Sequence, residues 1–337
     1  MAFRMPAEWA PHERTLMGWP CRTSSWGQSL EQGRSEFAAV ANAIAAFEPV
    51  TMVCATAEQE EHARTRLTSN VETVIHPMDG SWLRDNGPLF VLDGSQRKAQ
   101  HFKFNAWGER HAQRDRDARL GRTLAESLGD QVDSIDVVLE GGAISVDGNG
   151  LLIAPEGCVM HDSRNWSLTR EQVEQSIKSA LGLERIVWLG QGLSEDLQRD
   201  PSRMYYGTDG HADLFLSFIG KSKAMMLKVP ENDPNAPHLE KSKRILESAG
   251  IKVLDFPYMS GFMDEGNWII APYMNFYFCN GGLIVPVAGA EPDKDREALE
   301  FLSRTFPERE VVGVHLRAAP RQGGAVHCMT QQVPAKV

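Results

Sequence analysis

Cys328 sits in the run Gln322-Gly-Gly-Ala-Val-His-Cys-Met-Thr-Gln-Gln332. Two acidic motifs lie far upstream of it, Trp82-Leu-Arg-Asp-Asn-Gly-Pro88 and Gly207-Thr-Asp-Gly-His-Ala-Asp213. A thiol, an imidazole and a pair of aspartates suit attack on the central carbon of a guanidinium ion. Carboxylates grip the flat cation through paired hydrogen bonds. A thiolate supplies the nucleophile, and histidine moves the protons.

Each residue also has a plainer reading. A lone cysteine often serves as a small buried hydrophobe, but Gly323-Gly324 beside Cys328 lets the backbone come close to a ligand. His327 adjoins the thiol; on an extended segment the two side chains point to opposite faces, so the base is expected elsewhere. His211 and Asp213 are two residues apart and would share one face of a strand over 212–219, with Gly207-Thr-Asp-Gly210 as the turn before it. A metal-binding His-x-Asp pair is the competing reading, weakened by the lack of a second histidine cluster. Asp85 precedes Asn86-Gly87-Pro88, a turn sequence, while the indole of Trp82 suits a delocalised cation. Glu140 ends an apolar run before Gly141-Gly142, where a carboxylate must be partnered or titrate abnormally.

The elements that must position these groups repeat. Val50–Cys54 leads to a helix near 57–67 and then Val71–Ile75; His101–Phe104 to a helix near 113–128 and Ile135–Leu139. Leu151–Ala154 leads to a helix near 169–181 and Ile186–Leu189; Ala224–Val229 to one near 236–249 and Ile251–Leu254; Gly282–Pro286 to one near 293–304 and Val311–Val314. Five units at intervals of about 50 to 70 residues form a repeat architecture. Each is too small to bury its own apolar face, so the units must pack on one another. A closed ring of five α/β blades would bring the distant motifs together. An open doubly wound sheet is the alternative, but no G-x-G-x-x-G fingerprint is present. One domain over residues 1–337 is expected.

Composition narrows the class. A formal charge of −10 disfavours nucleic acid and anionic membranes as partners and favours approach of a small cation. Five scattered cysteines without a C-x-x-C pair argue against a disulfide framework or a structural zinc site. No apolar run reaches the roughly 20 residues that span a bilayer, and the N-terminal residues lack a signal-peptide core. A cytoplasmic location is expected. The arginine-rich stretch 109–119 reads as a solvated helix start.

Several further segments join these motifs: Met5-Pro-Ala-Glu-Trp9, Gly18-Trp-Pro20, Asn105-Ala-Trp-Gly108, Leu139-Glu-Gly-Gly142, Val146-Asp-Gly148 and Tyr273-Met-Asn-Phe276. In this order they resemble the agmatine deiminase family of the guanidine-modifying superfamily, relatives of the Porphyromonas-type peptidylarginine deiminases. The resemblance implies a five-bladed α/β propeller (pentein) of ββαβ-like units with pseudo-fivefold symmetry. It implies hydrolysis of agmatine to N-carbamoylputrescine and ammonia through a thiouronium on cysteine. Cys328 would be the nucleophile, His211 the general acid and base, and Glu140 its support. Asp85 and Asp213 would clamp the guanidinium, with Trp82, Trp107 and Gly324 also at the substrate. Neither cofactor nor metal is implied, and a homodimer is compatible. The departures bear on substrate rather than reaction: Ala325, Ala143, Ser145 and Asn86 replace the family's usual residues, and Gly207 stands where many members carry a glutamate. Deimination of another guanidino compound is therefore a second reading. An amidinotransferase and an inactive guanidinium-binding protein are further alternatives.

Overall fold

Among the described residues, five strand–helix–strand crossovers each deliver a parallel pair of strands. Val50–Cys54 and Val71–Ile75 flank the helix Ala57–Arg64, and Gln96–Lys103 and Gln131–Val138 flank Asp117–Ser127. Leu151–Pro155 and Arg185–Leu189 flank Arg170–Leu181; Lys223–Leu227 and Lys252–Phe256 flank Ala236–Ser248. Gly282–Val287 and Glu310–His315 flank Pro292–Thr305. The computed structural model describes residues 2–197, 207–257, 261–264 and 267–336.

The strands are spread over separate mixed sheets rather than one doubly wound sheet. In four units an antiparallel strand precedes the crossover: Leu89–Asp93, Ser145–Val146, Leu216–Gly220 and Tyr277–Cys279. The remaining sheet differs. His12–Gly18 runs parallel to Val50–Cys54, and on its other side pairs antiparallel with Thr330–Pro334, Met17 lying opposite Thr330. Residues from near both ends of the sequence thus share one sheet. A hairpin of Gly261–Asp264 and Asn267–Ile270 completes the strands.

Local chemistry explains these elements. Val50-Thr-Met-Val-Cys54 is buried throughout, as a parallel strand covered on both faces must be. Arg170–Leu181 starts on a capping box, Thr169 with Gln172, and stops at Gly182 in the left-handed conformation. Its buried Val173, Ile177 and Leu181 recur every fourth residue, each contributing about 1.5–3 kcal/mol. Among the described residues no helix is long and apolar enough to cross a membrane.

Three local expectations change. Residues 212–219 are not one strand: Ala212–Leu214 form a 3-10 turn, and the strand begins at Leu216. Apolar composition suggested the strand, but the preceding loop is tied to the carboxylate of Asp196. That carboxylate accepts the backbone N–H groups of Thr208, Gly210 and His211 at 2.8–2.9 Å. Val326–Met329 is a single helical turn rather than extended, so the alternation argument applied to His327 fails. Arg110, read as part of a solvated helix start, instead has a nearly buried side chain that pairs with Asp209.

Candidate active site

Five side chains named from the sequence meet in one buried region: Cys328, His211, Asp85, Asp213 and Glu140 are each no more than 6% exposed. Cys328, Asp85, Asp213 and His211 line a cavity of about 740 Å³, together with Trp82 and Trp107. An ideal Cβ built on Gly142 would lie 2.6 Å from His211 Nδ1 and 3.0 Å from both Asp213 Oδ2 and Asp85 Oδ1. Three functional groups therefore converge on a position only a glycine leaves open.

The thiol is placed by a helical turn whose amides are held from outside. Asn275 Oδ1 accepts the N–H of Ala325 at 3.1 Å and of Cys328 at 3.2 Å. Cys328 Sγ faces Asp213 Oδ2 at 3.4 Å. Burial, then the charges of Asp213 and Asp85, push the thiol pKa well above its ordinary value. It rests as the thiol. Gly324 lets this wall close: a Cβ there would lie 2.5 Å from Trp82 Cζ3 and 3.0 Å from Cys328 Cβ. The Trp82 ring stacks on Trp26 with centroids 5.7 Å apart.

Asp85 lies in the helical turn Leu83–Asn86. Its Oδ1 accepts Gly142 N–H at 2.9 Å and its Oδ2 accepts the indole N–H of Trp107 at 2.8 Å. Trp107 reaches it from a left-handed turn, with positive φ at Ala106, Trp107, Gly108 and Glu109. For non-glycine residues that conformation costs about 1–2 kcal/mol each. Asn105 offsets the cost, accepting Gly108 N–H at 2.9 Å and donating to Ser163 O at 2.8 Å. Burial raises the Asp85 pKa despite His211 nearby.

His211 lies between acids: Nδ1 is 3.9 Å from Asp85 Oδ1 and Nε2 is 3.7 Å from Glu140 Oε2. Burial alone would lower its pKa, but Asp85, Cys158 and Glu140 outweigh that and hold it well above the ordinary value. Glu140 is satisfied by Arg164, whose Nε donates at 2.8 and 3.0 Å. Burial pushes the Glu140 pKa up, and Arg164 with His211 brings it below normal. Arg164 also donates to Asp209 Oδ2 at 2.6 Å and to Thr208 O at 2.8 Å, and Asp209 is gripped again by Arg110. Acids and bases thus alternate from Arg110 through Asp209, Arg164 and Glu140 to His211.

Glu140, Cys158 and His211 bring donor atoms within 4.8 Å of one another. The guanidinium of Arg164 already neutralises Glu140 there, so Glu140 is an ion-paired support behind the His211 imidazole, and we assign no metal to the trio. Sequence reasoning passed over Arg164, Asp196, Asn275, Cys158 and the Glu8–His327 contact. Asn275 and Glu8 lie in motifs that carried the resemblance, which was the available signal; the others gave none. His327 Nδ1 lies 2.9 Å from Asp213 Oδ2, so His327 and Cys328 share one carboxylate instead of pointing apart.

A thiol, an imidazolium and two facing carboxylates around a single cavity define a class of site suited to planar cations. Residues 4–334 match the family model described as Porphyromonas-type peptidyl-arginine deiminase, and the chain belongs to that family. It is 37% identical over 365 residues to the agmatine deiminase of Pseudomonas aeruginosa (strain LESB58), covering 99% of this chain and 96% of that one. Among solved structures, agmatine deiminase of Enterococcus faecalis superimposes with a TM-score of 0.89 at 30% identity, over 99% of this chain and 96% of that one. A cysteine-to-serine form of C. jejuni agmatine deiminase with substrate bound matches with a TM-score of 0.88 at 27% identity, covering 98% and 96%.

Proposed function

We propose that this protein is an agmatine deiminase, hydrolysing agmatine to N-carbamoylputrescine and ammonia. One observation carries the reading: Asp213 Oδ1 is buried and, among the described residues, has no hydrogen-bond partner, in a cavity where Asp85, His211 and Cys328 converge. An unmatched buried carboxylate oxygen calls for a donor, and a guanidinium offers several in one plane.

The steps follow from the groups. Asp85 and Asp213 clamp the cation, whose charge offsets the two carboxylates that hold Cys328 protonated. The thiol then loses its proton to solvent, and the thiolate attacks the guanidinium carbon. His211, protonated at rest, gives a proton to one nitrogen of the tetrahedral adduct, which leaves as ammonia. A thiouronium on Cys328 remains. The now neutral imidazole takes a proton from water and hydroxide adds to the same carbon; the carbon–sulfur bond then breaks, the hydroxyl proton of the adduct passing to the departing sulfur, which restores the Cys328 thiol and releases the ureido product. Glu140, backed by Arg164, steadies His211 through its changes of charge. Trp82, Trp107 and Gly324 shape the walls around the cation.

The five crossover units would close as the blades of a pentein propeller, an arrangement supported by the pairing of His12–Gly18 with Thr330–Pro334. They would form one catalytic domain, working in the cytoplasm on a small cationic substrate. Homodimerisation is compatible, and no nucleic-acid partner is proposed.

The test is ammonia release measured across agmatine, guanidinobutyrate, arginine and arginyl peptides. Agmatine should give the highest kcat/KM; turnover orders of magnitude below another compound would transfer the assignment to that compound. An amidinotransferase would instead pass its amidine to an added amine and make less ammonia. A second expectation concerns Gly142→Ala. Its methyl would enter among His211, Asp85 and Asp213, lowering kcat/KM by at least about a hundredfold. A variant within a few-fold of the parent enzyme would show that the three groups need not keep this spacing.

A further inference from the structure

Both ring nitrogens of His327 face carboxylates. Nδ1 lies 2.9 Å from Asp213 Oδ2, and Nε2 lies 3.0 Å from each oxygen of Glu8. An ionised carboxylate can only accept, and a neutral imidazole carries one N–H, so serving both sides requires the doubly protonated ring. Arg84 holds the other side of this pair, donating to Glu8 Oε1 at 3.3 Å and to the carbonyl of His327 at 3.3 Å. Neither Glu8 nor His327 lines the cavity. Asp213 does, and its Oδ2 serves both the His327 ring and the Cys328 thiol.

We propose that Glu8 and His327 are positioning residues of the deiminase reaction: Glu8 holds the His327 ring as a cation, and that cation orients Asp213 and keeps it ionised where the guanidinium lands. This rests on the guanidine reading of the site. Asp85 and Asp213, converging on the same position beside Gly142, resist ionising together. The groups facing Asp213 are His327, His211, Cys328 and, across Gly142, Asp85; those facing His327 are Glu8, Asp213 and Arg84. The two clamp residues differ accordingly. Burial raises the Asp85 pKa, whereas for Asp213 burial is outweighed by the hydrogen bond and charge of His327 together with His211 and the Cys328 thiol, which bring it below the ordinary value. At Glu8, burial is outweighed by His327 and Arg84, and its pKa falls to about 2. The pair therefore stays charged down to low pH.

Asp213 must be ionised and correctly oriented to bind a cation, and both depend on the charge of His327. In Glu8→Gln, KM for agmatine near neutral pH should rise about tenfold, with kcat changed less than about threefold. Glu8→Asp should restore most of the parent KM, and Glu8→Gln/His327→Gln should raise it no further than either change alone. A merely structural pair would lower the unfolding temperature and leave KM unchanged, and that outcome overturns the proposal. Should Glu8→Gln fail to fold, His327→Gln is read in its place. Should the parent protein not turn over agmatine, the functional reading fails separately. The positioning role is then scored by calorimetric binding of guanidinium chloride to the same variants, where an unchanged Kd overturns it.

Discussion

Cys328→Ser should leave agmatine binding measurable and slow ammonia release by about 10⁴-fold or more. The serine hydroxyl fits the same helical turn, because Asn275 holds the backbone amides there rather than the sulfur. The clamp of Asp85 and Asp213 is untouched, so the cation still has its acceptors. What disappears is the nucleophile. A hydroxyl in this setting is far harder to ionise than a thiol, and burial beside two carboxylates has already raised the thiol. Single-turnover ammonia release, with calorimetric titration of the same protein, separates the two effects. Activity within tenfold of the parent enzyme would remove Cys328 from the covalent step and end the thiouronium mechanism.

Arg164→Met should destabilise the fold by about 3–5 kcal/mol. The guanidinium serves Glu140, Asp209 and the carbonyl of Thr208 at once, from a side chain with no exposure to solvent. Methionine fills similar space but leaves two carboxylates without it, and removing one partner of a buried ion pair leaves a charge uncompensated. Arg110 still reaches Asp209, so Glu140 bears most of the loss. Arg164→Lys should recover only part of the stability, since one ammonium cannot reproduce a planar fork of donors. Denaturant midpoints near neutral pH measure this directly. A change below about 1 kcal/mol would mean that water or a neighbour replaces the guanidinium, and that Glu140 is not held as described.

The candidate groups stood out in the sequence because each is a polar residue set among glycines or apolar runs. Cys328, His211, Asp85, Asp213 and Glu140 all lie in the same buried region. The crossover units were legible for a different reason: buried parallel strands such as Val50–Cys54 are continuous apolar runs, and the helices between them repeat every third or fourth residue. What escaped was the supporting layer. Glu8 and His327 are 319 residues apart, and nothing local marks either as the other's partner. Arg164 and Asp196 look like ordinary surface charges until the loop holding His211 folds over them. The misreading of His327 came from a backbone assumption, since a helical turn of four residues leaves no periodicity to detect.

The pairing of Met17 with Thr330 joins segments separated by most of the polypeptide. Closing a loop of roughly three hundred residues costs about 5 kcal/mol of chain entropy. No short-range contact can offset that before the intervening crossovers have packed. The strand bearing Thr330 begins two residues after Cys328, so the thiol proposed as nucleophile reaches the carboxylates of Asp85 and Asp213 as this loop shuts. On the proposed mechanism, chemical competence would be acquired in the closing stage of folding, and a newly made chain would remain inert through the stages before it.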